Sequence, residues 1–154
     1  MNLLFIGNSI TKHGKCSYWP GVWGMAASSP EKDYVHLLVD KLRKSGQHVE
    51  YTAIDFFKWE IMDYDRDEVL PLLDDLVKKS YDYIIVQLGE NISSVSNLEE
   101  DFCSLLTYLQ QSCLKENILV CSSFFKKDAV DNIKKKICSR GGADNMYPLK
   151  IYEV

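Results

Sequence analysis

Four short apolar runs, near residues 2–6, 49–54, 82–88 and 117–123, are each followed by a segment whose apolar residues recur at helical spacing. This alternation constrains the fold more than any other feature. Runs such as LLFI at 3–6 and YIIVQL at 83–88 carry few polar breaks, as strands covered on both faces do. Four such β-α units predict the α/β class: a three-layer α/β/α arrangement with a parallel, flavodoxin-like sheet. At 154 residues, one domain spanning 1–154 is expected.

The helices have their own signals. Ser29 as N-cap and Pro30 at the first helical position predict a helix bearing Tyr34, Leu38 and Leu42 on one face and ending near Gly46. Val69, Leu73, Leu76 and Val77 predict a second, which accommodates Pro71 only in its first turn. Asn97 with Glu100 resembles a capping box ahead of Leu98, Phe102, Leu105, Leu106, Leu109 and Cys113. A short helix through Val130, Ile133 and Ile137 follows the fourth run. Lys134-Lys135-Lys136, late in it, is expected to be a solvated helix end. After Cys138 the composition turns to Ser-Arg-Gly-Gly-Ala-Asp-Asn, and residues 149–154 alternate like a final strand.

A net charge of −4 and a pI near 5.4 argue against nucleic acid or an anionic membrane as partner. No apolar stretch is long enough to span a bilayer. The five cysteines are odd in number and widely spaced, with no CxxC or Cys/His spacing, so neither a metal nor another cofactor is implied. They suit a reducing, cytoplasmic compartment, with a leader removed ahead of Met1 left open.

In open parallel sheets ligands bind beyond the carboxyl ends of the strands. That rule places Ser9, Glu90, Asn91, Phe124 and Phe125 at one edge, and pairing of the first and third strands would bring Ser9 near Asn91. A serine on a strand-to-loop corner is how some hydrolases present a nucleophile. The alternative is a plain turn whose serine caps the next segment.

Gly7-Asn8-Ser9-Ile10-Thr11 resembles the first block of the SGNH hydrolases, also called GDSL-type lipases and esterases, with Asn8 where many members have Asp. Gly89-Glu90-Asn91, directly after a strand, resembles the third block, G-x-N, and Trp23-Gly24-Met25-Ala26 is similar to the second. The resemblance runs to about Cys138. It implies the SGNH hydrolase fold and ester hydrolysis through an acyl-enzyme on Ser9. The oxyanion donors it implies are the Ser9 N–H, the Gly24 N–H and the Asn91 side chain. The substrate it implies is a small-molecule or carbohydrate ester.

One block has no counterpart. The fifth, D-x-x-H, supplies the general base and its orienting acid, yet no histidine follows Asn91. His13, four residues from Ser9, is the candidate base, with a loop or surface position as its alternative. Asp33-Tyr34-Val35-His36 fits D-x-x-H literally but lies within the first helix, which is expected to carry His36 away from the strand ends. His48 beside Gly46 is expected in an exposed turn. The carboxyl-terminal part is therefore expected to be incomplete, leaving an apolar patch at the last strand or at the helix after the fourth strand, met by another chain, as in a homo-oligomer, or left as an association hazard.

Tyr18, Trp19 and Trp23, and Phe56, Phe57 and Trp59, either wall the site or pack over the core; both remain open here. Two further readings stand beside the hydrolase. One is an inactive binding module that keeps the pocket without a base. The other is a flavodoxin-like cofactor or signalling domain, disfavoured because GNSIT has neither a GxGxxG nor a Walker pattern.

Overall fold

The apolar runs become β1 (Asn2–Gly7), β2 (Glu50–Asp55), β3 (Tyr83–Gln87) and β4 (Ile118–Cys121), and β5 (Met146–Tyr147) joins them. The computed structural model describes residues 1–62 and 65–140, and of Met146 and Tyr147 the backbone. All pairings are parallel, in the order β2-β1-β3-β4-β5, the flavodoxin-like arrangement. Central β1 has Gly7 opposite both Asp55 and Gln87, so three strands end level at one edge.

Successive side chains on a strand point to opposite faces, and the core divides accordingly. Leu4, Ile6, Ile84 and Val86 face the side built from α2 (Phe57–Ile61), α3 (Asp74–Val77), α4 (Leu98–Leu109) and α5 (Asp128–Arg140). Trp59, Leu73, Phe102 and Leu105 complete that cluster, each contributing about 1.5–3 kcal/mol by leaving water. Leu3, Phe5 and Ile85 face the other way, against Val35 and Val39 of α1 (Tyr34–Lys44). β2 lies at the sheet edge and is only half-buried, unlike β1 and β3.

Several local expectations are corrected. Ser29 and Pro30 open only a 3-10 turn, Pro30–Lys32; α1 begins at Tyr34, four residues after Pro30, because Asp33 Oδ1 accepts from His36 N at 2.8 Å and caps it. Pro71 sits within a 3-10 segment, Arg66–Leu73, where its missing N–H breaks no α-helical ladder, and α3 starts after it. Asn97 occupies the left-handed region at φ 61° and its side chain makes no cap bond, so the expected capping box does not form. The helix after β4 is not short but 13 residues long, and Lys134 within it is buried rather than solvated. The strand expected over 149–154 lies outside the described residues. No helix among the described residues is long and apolar enough to cross a membrane.

Candidate active site

β1 ends on Gly7 because the chain folds back upon itself there. A Cβ on Gly7 would stand 1.9 Å from Thr11 Oγ1 and 2.7 Å from the Gln87 carbonyl. Asn8 O accepts from Thr11 N (2.9 Å) and Lys12 N (3.1 Å), and Asn8 Oδ1 accepts from Ile10 N (2.9 Å). This side-chain turn fixes the Asn8 amide with Nδ2 directed at Glu60 Oε1, 3.1 Å away. Ser9 occupies the apex, half-buried. Neither its hydroxyl nor its N–H has a hydrogen-bond partner among the described residues.

Gly24 lies against this turn. Met25 N donates to Ser9 O at 2.8 Å, and a Cβ on Gly24 would stand 1.9 Å from Ile10 O, so only glycine permits the approach. The Gly24 N–H itself, however, donates to Asp33 Oδ2 at 3.1 Å. It is directed to the head of α1.

Gly89-Glu90-Asn91 leaves β3 beside the same turn, since β1 and β3 pair. Glu60, fully buried on α2, joins the two segments. Its Oε1 accepts from Asn8 Nδ2 and from the Gly89 N–H, and its Oε2 accepts from Asn91 Nδ2 at 2.6 Å. Ser9 thus neighbours a residue bound to the carboxylate that also holds Asn91. Sequence reasoning missed Glu60. The one signal for it was an acidic residue between Trp59 and Ile61, shortly after β2 and so toward the carboxyl edge of the sheet.

Glu90 ties the turn to the loop after β4. Its carboxylate accepts from Gln87 Nε2 (3.2 Å), Phe124 N and Phe125 N (3.3 Å). Burial pushes its carboxyl above the usual range, and the Phe124 and Phe125 N–H groups partly offset this. Beneath lies Lys134, whose Nζ donates to Cys121 O (3.1 Å) and Ser123 Oγ (3.3 Å) and pairs with Asp131. Burial lowers its ammonium, against the opposing pull of Asp131 and Glu90.

The histidines lie apart from the Ser9 hydroxyl's hydrogen-bond range. His13 Nδ1 donates to Gly14 O at 2.6 Å, and its ring stacks obliquely on Tyr18. His36 Nδ1 is 2.7 Å from Asp33 Oδ1. Because α1 starts late, His36 falls in its first turn rather than farther along. It lines a cleft of about 380 Å³ together with Thr11, Lys12, Trp23, Tyr51 and Thr52. His48 is exposed, as expected.

The aromatic segments divide. Phe56 and Trp59 pack in the core, so neither walls a site, whereas Phe57 is partly exposed. Trp19 and Trp23 pack against each other at a tilt of 58°, with 5.3 Å between ring centres, and Tyr18 projects into solvent. Among the described residues no three His, Cys, Asp or Glu side chains cluster as a metal site.

No family model matches the chain, and no curated protein matches it. Solved structures do resemble it. The psychrotrophic esterase EstA from Pseudoalteromonas sp., in a form inhibited by monoethylphosphonate, superposes with a TM-score of 0.63 at 12% identity, covering 96% of this chain and 76% of that one. TesA superposes with a TM-score of 0.61 at 14% identity, covering 93% of this chain and 76% of its own. At such identities the likeness is one of fold.

Proposed function

We propose that this chain is a serine ester hydrolase of the SGNH type, with Ser9 as nucleophile. The observation that carries the reading is the Ser9 hydroxyl, unpartnered among the described residues, at the carboxyl edge of β1, one residue from Asn8, which shares the Glu60 carboxylate with Asn91. The fold neighbour EstA, an esterase trapped with a phosphonate, supports it by analogy.

In this reading Ser9 Oγ attacks the ester carbonyl and its proton passes to a base. The carbonyl π electrons move onto oxygen, giving a tetrahedral oxyanion. The Ser9 N–H and the second Asn91 Nδ2 hydrogen are donors free to receive that charge. Gly24, the third donor in the resemblance, serves only if its N–H exchanges Asp33 for the oxyanion. Collapse expels the alcohol, which takes up a proton, and water then releases the acid from the acyl-enzyme. The exposed Tyr18 and the Trp19–Trp23 pair suit a sugar ring or acyl group, hence a small or carbohydrate-borne ester.

A second reading, a binding module without catalysis, is favoured by the histidine placements: His13 is bonded to Gly14 and His36 to Asp33. A fluorophosphonate probe separates the two. Labelling of the wild-type chain at Ser9, lost in Ser9→Ala, supports the hydrolase; a folded chain that stays unlabelled supports the module.

A further inference from the structure

The two oxygens of Glu60 face different situations. Oε1 accepts from the Gly89 N–H and from Asn8 Nδ2, and neither donor can be reversed. The first is backbone, and the second belongs to an amide whose oxygen is held by Ile10 N at 2.9 Å. Among the described residues Oε2 meets the Asn91 amide alone, which a half-turn would present with either its nitrogen or its oxygen inward. Oε2 stands as an acceptor 2.6 Å from Nδ2, so the nitrogen rather than the oxygen of that amide faces it. With one Nδ2 hydrogen on Glu60, planarity directs the other away from that carboxylate, on an exposed residue beside the Asn8–Ser9 turn.

We infer that Glu60 is the positioning residue of this site, orienting the Asn91 amide so that its second Nδ2 hydrogen is offered at the sheet edge. The use of that hydrogen for an oxyanion rests on the ester-hydrolase reading; the orientation itself does not. Glu60 touches no reacting atom. It acts through Asn91 alone.

Glu60→Gln tests this with little change of volume. The carbonyl of the introduced amide keeps the Gly89 and Asn8 donors, because both are fixed, so its new NH2 group faces Asn91. The Asn91 amide then turns its oxygen inward, and a lone pair replaces the donor offered beside Ser9. The first readout is phosphonylation of Ser9 by a fluorophosphonate, resolved into affinity and maximal rate. The maximal rate is expected to fall about 100-fold, the typical consequence of losing one oxyanion donor, with affinity changed less than about two-fold. Asn91→Ala should fall comparably, and the double variant no further, since both changes remove one donor. A role confined to holding the fold together would instead add to the Asn91→Ala loss.

The second readout needs no reactive serine and uses wild-type protein. One Asn91 Nδ2 proton should resonate downfield and exchange slowly with solvent, and Glu60→Gln should abolish both properties. Wild-type Asn91 protons with free-amide shifts and fast exchange would overturn the inference, whether or not the variant folds. So would a Glu60→Gln chain whose Ser9 reacts like wild type. An unreactive wild-type Ser9 with a protected Asn91 proton would sink the hydrolase reading while upholding Glu60.

Discussion

The Lys134 ammonium stands where a side chain on Gly89 would go, 2.8 Å from an ideal Cβ. Gly89 also holds φ +139°, a backbone region that disfavours L side chains, and Ser123 Oγ and Val130 Cγ1 close the space at 3.0 Å. The ammonium cannot yield cheaply, being fixed by Cys121 O, Ser123 Oγ and Asp131. Gly89→Ala should therefore cost about 2–3 kcal/mol through strain and overpacking together. At about 2–4 °C per kcal/mol for a chain of this size, that lowers Tm by roughly 4–12 °C. Gly14→Ala is the control: its Cβ meets nothing within 4 Å, and its Tm should not move. A Gly89→Ala melt that overlies wild type would show that the turn is not held as described.

The same Lys134 marks the limit of what the sequence discloses. The alternating apolar runs were legible because burial on two faces leaves a compositional trace, and β1, β3 and β4 lie within a few residues of expectation. A lysine triplet late in a helix carries no such trace. Lys134 faces the sheet while Lys135 and Lys136 face solvent, and only packing of α5 against α4 and β4 decides which. Glu60 was hidden for a related reason: its three partners come from residues 8, 89 and 91, so no local spacing announces it. The strand-end positions of Ser9 and Asn91 were legible because each follows an apolar run within a few residues. Asn97 misled because its side chain has the chemistry of a cap, whereas its left-handed backbone does not present it as one.

Asp33 serves three donors at once: His36 N, the His36 ring and Gly24 N. Asp33→Ala removes the α1 cap, worth about 1 kcal/mol on its own, and also leaves a buried Gly24 N–H without its acceptor. A total loss of about 2–3 kcal/mol is expected in urea unfolding. Asp33→Asn, whose oxygen can still cap, should lose less than half of that. Equal losses in the two variants would mean that the carboxylate charge, rather than the cap, carries the interaction.

Glu90 gives the acid limb of stability a defined sign. Burial raises its carboxyl above the ordinary 4.5, and the Phe124 and Phe125 N–H groups and the Lys134 charge only partly offset this. The folded chain therefore holds this proton more tightly than the unfolded chain does. Stability contributed at this site falls as pH rises from 4.5 through the raised folded value, because the unfolded state binds fewer protons there. Glu90→Gln cannot titrate. Its stability relative to wild type should thus improve between about pH 4 and pH 7, read from urea melts at both. A difference that is flat, or that moves the other way, contradicts the burial argument.

Ser9 has no imidazole among its hydrogen-bond partners in the described residues, and that sets the expected rate. A serine hydroxyl without a base retains binding and oxyanion donors only, which in serine hydrolases leaves about 10³–10⁴-fold acceleration over water. On the ester-hydrolase reading the chain should accordingly hydrolyse an activated short-chain ester slowly, several orders of magnitude below a serine hydrolase whose base is in place. His13→Ala and His36→Ala should each leave that rate within about two-fold, because His13 is bonded to Gly14 and His36 to Asp33. Steady-state kinetics on both variants, with Ser9→Ala as the baseline, decides the matter. If His13→Ala lowers the rate to the Ser9→Ala baseline, the loop from Ser9 to Gly24 must rearrange in solution to bring His13 onto the serine. A loss confined to His36→Ala would instead mean that Asp33 releases Gly24 and that the D-x-x-H pair at the head of α1 works as the acid and base.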